Sequence, residues 1–374
     1  MTAAGSDSAE LRETPLRAAH EALGATLVDF AGWLMPLRYS SEKAEHTAVR
    51  EKAGLFDLSH MGEIHVLGAQ AAALLDHALV GYLSKVAVGR ARYTMITDAE
   101  GGVLDDLIVY RLADEHYLVV ANAANAGTVL AALTERAAGF DARIEDRSAE
   151  TALIALQGPA AVEILAPLTD ADLDEIKYYA GYRHTVAGHP VLLARTGYTG
   201  EDGFELFVEP ASDAPAVWDA LLKAGEPHGL VPAGLSSRDT LRLEAGMPLY
   251  GQELSRDLTP FDAGQGRVVK FEKEGDFVGR EALRRAADRG RSRKLIGLVG
   301  RGRRPVRKGM PVLRDGVEVG SVTSGAPSPT LGKPIAMAYV DAELDTSEGA
   351  FTVDVRGRSE EVDVVGLPFY KRER

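Results

Sequence analysis

The 374-residue chain is 45% hydrophobic and 26% charged, enough to bury a sizeable core, and its length predicts two or three domains rather than one. It carries 42 Lys and Arg against 55 Asp and Glu, a formal charge of -13, which argues against general nucleic-acid binding, a function that rests on a basic surface. It has no cysteine, so structural disulfides, thiolate metal sites and thiol catalysis are excluded, and any sulfur chemistry has to arrive on a substrate.

The opening residues MTAAGSDSAE are small and polar, unlike a signal peptide. No apolar run approaches the roughly 20 residues that span a bilayer, so a cytoplasmic location with no membrane partner is expected. Thr14-Pro15 reads as an N-cap and first helical residue, with Leu16, Ala19 and Leu23 at helical spacing before Gly24. A short strand and turn follow over Leu27 to Met35, then a helix from about Ser41 to Lys52. In GLFDLSHMGEIHVLG, Ile64 and Val66 alternate like a half-buried strand, with His60 and Met61 at its entrance. A lone histidine there is more often a hydrogen-bonded core residue than a ligand. The nine histidines show no HxxxH or HxH spacing, so no metal site is expected.

Gln70 to Val80 reads as a helix and Ala91 to Thr97 as a strand leading into EGGVLDDLIVY, residues 100 to 110. Two adjacent carboxylates lie there inside an aliphatic strand. Alternation groups Val103, Asp105, Leu107 and Val109 on one face and Leu104, Asp106, Ile108 and Tyr110 on the other. Unless the strand is a wet edge, one aspartate is poorly solvated, which costs energy unless something uses the charge. Tyr117 to Ala121 completes an antiparallel meander, and Asn122 reads as a cap for the next helix.

Ala152 to Leu156 starts a second strand set. Val191 to Arg195 and Phe204 to Val208 form a pair whose Gly-rich loop gathers Tyr198, Glu201, Asp202 and Glu205. Glu205 is the second carboxylate in an apolar strand. After a helix near Ala214 to Ala224, Ser236 and Asp239 resemble a capping box. Arg238 then lies in the first helical turn, where positive charge opposes the macrodipole and calls for a partner. Residues 280 to 308 hold twelve Lys and Arg against Glu281 and Asp288. That run reads as a solvated face or as a docking surface for an acidic protein or anionic ligand. From Lys294 short strands with Gly, Pro and Asp-Gly turns predict an all-β barrel or sandwich.

No phosphate-binding loop, dinucleotide fingerprint or nucleophile elbow survives inspection of spacing. What remains is a pair of buried carboxylates, Asp106 (or Asp105) and Glu205, with Arg238, Asn122 and Tyr198 as polar company. That set suits a flat heterocycle with several N–H donors.

Nine phrases in order, among them DFAGWLMPLRY, GLFDLSHMGE, GGVLDDLIVY, RTGYTGEDGFEL, GLSSRDTLRLEAGMPLYG and SVTSGAPSPTLGKPIAMAYV, closely resemble the aminomethyltransferase (T-protein) family of the glycine cleavage system. The resemblance implies an α+β fold of three domains with antiparallel sheets and a C-terminal all-β barrel. Two domains would be discontinuous: 1–57 with 144–230, and 58–143 with 231–285, followed by a barrel over 290–374. It implies transfer of the methylene of an aminomethyl group from the lipoyl arm of H-protein to tetrahydrofolate, with release of ammonia and no metal. By motif position Asp106 is the implied catalytic aspartate, and Met61, Tyr93, Asn122, Tyr198, Glu205, Arg238 and Tyr370 are implied folate-lining residues. Asp105 is left as a structural hydrogen-bonder, and the basic run as an H-protein docking surface. Alternatives on the same scaffold are a related folate-dependent demethylase and a non-catalytic folate-binding protein that assists iron-sulfur maturation.

Overall fold

The structure, a computed structural model, describes residues 10–372. The leader expectation on the first ten residues falls, Glu10 apart, outside the described part. Three sheet systems organise the chain, with a separate two-stranded hairpin, Thr26–Phe30 with Trp33–Arg38, near its start.

The first sheet has six strands in the spatial order Gly181–Val186, His189–Ala194, Gly203–Val208, Ala152–Gln157, Ala53–Asp57 and Leu230–Pro232, antiparallel except for the last pair. Its two faces follow strict alternation. Ile154, Leu156, Phe204 and Leu206 pack beneath the helices Ala161–Leu165 and Ala214–Gly225, where Trp218 is fully buried. Leu153, Ala155 and Phe207 face the second sheet.

That second sheet runs Ala91–Thr97, Val103–Ala113, His116–Ala121, Gly62–Leu67 and Arg143–Asp146, with the expected meander as its first three strands. Its outer face is covered by the helices Ala71–Ala78 and Ala126–Arg136, and its inner face meets the first sheet through Tyr110, Leu118 and Val120. The two sheets therefore share a core between them. For this reason Gly62–Leu67 is not half-buried as its alternation suggests: Glu63 and His65 point into the intersheet layer and are buried too. No described helix is long and apolar enough to cross a membrane.

The last system is a closed six-stranded barrel over residues 293–365, in the order Arg293–Gly300, Lys333–Asp341, Val317–Ser328, Pro311–Arg314, Phe351–Asp354 and Ser359–Val365. Of the two β architectures the sequence left open, closure selects the barrel, which leaves no free sheet edge. The barrel docks on the helix Leu235–Glu244 through Leu243, Ala326, Ile335 and Met337.

Three caps differ from expectation, two of them because the polar group has a stronger use elsewhere and one because the helix starts earlier than its box. The helix begins at Arg17 rather than Pro15, and the Thr14 hydroxyl donates to Asp57 Oδ2 at 2.6 Å. The Ser236 capping box does not form. Gly234 is the N-cap, and its N–H donates to the buried Glu45 at 2.9 Å, putting negative charge at the helix start. A side chain at Gly234 would meet Leu37 O at 2.4 Å, so only glycine permits this approach. Asn122 caps nothing: the N-cap of the helix Ala126–Arg136 is Asn125, with no side-chain cap bond.

Alternation on the aspartate strand holds from Asp105 onward but fails before it. A register shift opposite Ile96 and Thr97 makes Leu104 an extra, bulged residue. Leu104 thereby joins Leu107 and Val109 in the outer core, while Val103 joins Met95 on the Asp106 side.

Candidate active site

A cavity of about 390 Å³ opens between the two sheets and the helix that carries Arg238. Seven of the eight side chains singled out from the sequence line it: Met61, Tyr93, Asp106, Asn122, Tyr198, Glu205 and Arg238. They come from four elements and three connecting segments, which is why no contiguous motif could display them together.

Tyr370 is not brought there. Its backbone N–H donates to Glu244 O at 2.8 Å, which sets its ring over the Arg50 guanidinium at 4.1 Å. Arg50 is in turn held by Glu201 at 2.8 Å and by Glu244 at 3.0 Å. The C-terminal tail thus locks a charged junction behind the cavity rather than forming its wall.

Asp106 accepts hydrogen bonds from the Tyr93 hydroxyl at 3.0 Å and from Asn122 Nδ2 at 2.9 Å. Burial outweighs these bonds and lifts its carboxyl to about 6. Asp105, on the opposite face, is fully buried and accepts from Asn122 N, Asn122 Nδ2 and Asn125 Nδ2 at 2.9, 2.8 and 2.7 Å. Its carboxyl is raised to about 7 by burial and by the neighbouring Asp106 charge. Asp105 has its hydrogen bonds supplied by the protein, whereas Asp106 faces the cavity.

On the facing sheet, Glu205 accepts from Thr196 Oγ1 at 2.5 Å and lies 3.5 Å from the Tyr110 hydroxyl. Burial raises its carboxyl, while Thr196 and the Arg238 charge pull the other way. The partner expected for Arg238 is therefore electrostatic. The guanidinium sits over the Tyr198 ring at 4.9 Å within the field of Glu205, and its side chain makes no hydrogen bond among the described residues. The Tyr198 hydroxyl donates to Pro248 O. Two acceptor carboxylates and one cation with donors to spare can grip a planar heterocycle by its polar edges.

Sequence reasoning missed Phe30, His60, Tyr179, the loop Met247 to Tyr250, and Gln265, which also line the cavity. Tyr179 holds a positive φ of 60°, a conformation a bulky residue rarely adopts, and no sequence signal announces it. From sequence His60 reads as a core histidine, although neither ring nitrogen is hydrogen-bonded among the described residues.

The basic run is mostly spent internally. Arg280 donates to the carbonyls of Phe271 and Lys273, Arg285 pairs with Glu281, Arg301 with Glu361 and Asp363, and Arg304 with Glu360. Lys294, Arg307 and Lys308 donate to backbone carbonyls. Among the described residues Arg284, Arg289, Arg291, Arg293 and Arg303 are left exposed with no such partner, although Arg284 lies over the Phe271 ring at 4.8 Å.

Fold and cavity together define a class: an α+β protein whose two facing sheets enclose a cavity lined by buried carboxylates, with a closed barrel appended. Residues 16–273 match the GCVT N-terminal domain and residues 293–371 the glycine cleavage T-protein C-terminal barrel domain. The chain belongs to the glycine cleavage T-protein family. It is 66% identical to an aminomethyltransferase of Streptomyces avermitilis over 97% of this chain and 98% of that one. It is 64% identical to an aminomethyltransferase of Saccharopolyspora erythraea, covering 96% and 98%. A crystal structure of glycine cleavage system aminomethyltransferase T from Bartonella henselae superposes with a TM-score of 0.89 at 36% identity, covering 96% of this chain and 98% of that one. These relatives favour the transferase over the demethylase and the non-catalytic readings.

Proposed function

We propose that the protein is the aminomethyltransferase of the glycine cleavage system, a cytoplasmic transferase that takes the aminomethyl carbon from the lipoyl arm of H-protein and delivers it to tetrahydrofolate. The observation that carries this reading is the placement of Asp106, Glu205 and Arg238 around one cavity in a chain of this family. The transfer breaks a C–S bond to the lipoyl sulfur and a C–N bond to the departing ammonia. It forms two C–N bonds to folate nitrogens, and the two N–H protons lost from folate end on the lipoyl thiol and on ammonia. A chain without cysteine suits this chemistry, because the reacting sulfur arrives on the partner.

Asp106 is ionised above about pH 6 and accepts a hydrogen bond from the attacking folate nitrogen, orienting its lone pair. As the methylene becomes an iminium, the same carboxylate stabilises the positive charge in a site of low dielectric. Tyr93 and Asn122 fix the carboxylate by occupying one lobe on each oxygen. Glu205 receives N–H donors on the far edge of the pteridine, and Arg238 supplies donors beside it.

The test is ammonia release from aminomethyl-loaded H-protein with and without tetrahydrofolate. Strong stimulation by tetrahydrofolate is expected, and its absence in folded protein would overturn the assignment.

A further inference from the structure

His60 occupies the cavity wall between Phe30 and Arg238, and nothing so far gives it a role. The backbone that carries it is rigidly held. Asp57 Oδ1 accepts from Ser59 N at 2.9 Å, and Asp57 Oδ2 accepts from Thr14 and sits 2.8 Å from His20 Nε2. Leu153 N donates to Ser59 Oγ at 3.1 Å, and Met61 N to Leu58 O at 2.9 Å. The ring itself is 3% exposed and packs edge-to-face on Phe30 with centroids 5.4 Å apart. So much scaffolding around a side chain with no hydrogen bond of its own indicates a group reserved for a ligand.

The two ring nitrogens are not equivalent. Nδ1 is fully buried with no partner, whereas Nε2 is not among the fully buried orphan atoms of the ring that lines the cavity. A buried N–H without an acceptor is costlier than a bare lone pair, so the hydrogen belongs on Nε2. Burial and the nearby Arg238 charge push the imidazole down to about 4, so the ring is neutral at physiological pH. The cavity then presents one neutral donor beside a cationic one, in addition to the acceptor carboxylates.

We infer that His60 donates Nε2–H to a carbonyl acceptor on the bound heterocycle and so acts as a specificity-determining residue that selects a lactam ring. This rests on the folate reading of the cavity, in which the lactam carbonyl of the pteridine is the acceptor. A ligand carrying an amino group in place of that carbonyl would set donor against donor. Sites built around such a bond reject the mismatched analogue far more strongly than a hydrophobic wall does.

The experiment measures the affinities of tetrahydrofolate and of its 4-amino-4-deoxy analogue for the wild-type protein, His60→Leu and His60→Gln. Asp106 and Glu205 also influence the absolute preference, so the readout is how the ratio of the two affinities changes between variants. His60→Leu should shift that ratio against tetrahydrofolate by about tenfold. His60→Gln, which keeps a donor, should recover part of it. An unchanged ratio in His60→Leu overturns the inference, whereas failure of the wild-type protein to bind tetrahydrofolate overturns the folate reading itself. Nitrogen NMR of the histidines provides a measurement independent of any variant: a neutral Nε2–H tautomer for His60 is expected at pH 7. An imidazolium or an Nδ1–H tautomer overturns the inference.

Discussion

Asp105 and Asp106 point to opposite faces of one strand, yet both accept from the same amide nitrogen, Asn122 Nδ2, at 2.8 and 2.9 Å. One amide thus couples a carboxylate sealed in the outer core to a carboxylate that faces the cavity. Because only Asp106 lines the cavity, substitution should nevertheless separate the roles of the two aspartates.

Asp106→Asn should lower turnover on the order of a hundredfold or more while leaving the fold intact, because it removes a charge needed only as the methylene becomes cationic. Asp105→Asn should cost far less in turnover. Steady-state ammonia release with matched melting curves checks both, and equal losses for the two variants would remove the distinction.

Acid should switch the enzyme off at an unusually high pH for a carboxylate. Burial places Asp106 at about 6, so kcat/KM falls as pH drops through that value. The Tyr93 hydrogen bond lowers the Asp106 value, so Tyr93→Phe should move the acid limb upward. A pH profile of both proteins reads the shift, and a limb that stays in place would argue against Asp106 as the titrating group.

Asn122→Ala strips Asp105 and Asp106 of the side-chain amide they share, leaving buried acceptors short of partners. The expected loss is about 1–3 kcal/mol in chemical denaturation. Turnover should fall as well, since Asp106 is freed to rotate.

Glu244 is fully buried and accepts from Arg50, Ser328 and Thr330, with His46 Nε2 3.1 Å away, tying two helices to the barrel. Despite the opposing effect of burial, the His46, Ser328 and Thr330 contacts hold its carboxyl at about 2. A depressed carboxylate contributes stability above its unfolded value, and that contribution is lost as pH falls through the folded one. Melting temperature should therefore drop between about pH 4.5 and 2 more steeply in the wild-type protein than in Glu244→Gln. At neutral pH the variant should be destabilised by about 3–5 kcal/mol, because Arg50 keeps its burial and loses a counter-ion.

For H-protein, the exposed cations of residues 280–308 with neither an internal pair nor an aromatic ring beneath them are Arg289, Arg291, Arg293 and Arg303. Apparent affinity for the lipoylated partner should fall as salt rises, and Arg289→Ala with Arg291→Ala should weaken it. Arg301→Ala, which breaks only internal pairs, should not. Titrations at several ionic strengths decide, and a salt-independent affinity would count against this surface.

Most strands and helices were legible because their periodicity survives in the fold: the meander from Ala91 to Ala121 and the pair Val191 to Val208 lie where alternation puts them. Residue-level reasoning distinguished the faces of Asp105 and Asp106 without choosing between them, and it was the family resemblance that pointed to Asp106. Failures cluster where a side chain answers to a distant residue. Thr14 serves Asp57 and Asn122 serves two aspartates, so neither caps its local helix. Glu63 and His65 are buried by a sheet whose strands lie elsewhere in the sequence, and the Leu104 bulge has no local signature. His60 reads as a core residue because spacing cannot reveal that its hydrogen bonds are left unmade.

The cavity draws its wall from positions as early as Phe30 and as late as Gln265. During synthesis, no emerging chain can therefore offer the complete cavity until about 265 residues have left the ribosome, whatever secondary structure has already formed. Ligand binding cannot serve as an early folding checkpoint. It can only reward the finished body, so bound ligand should stabilise both sheets as one cooperative unit.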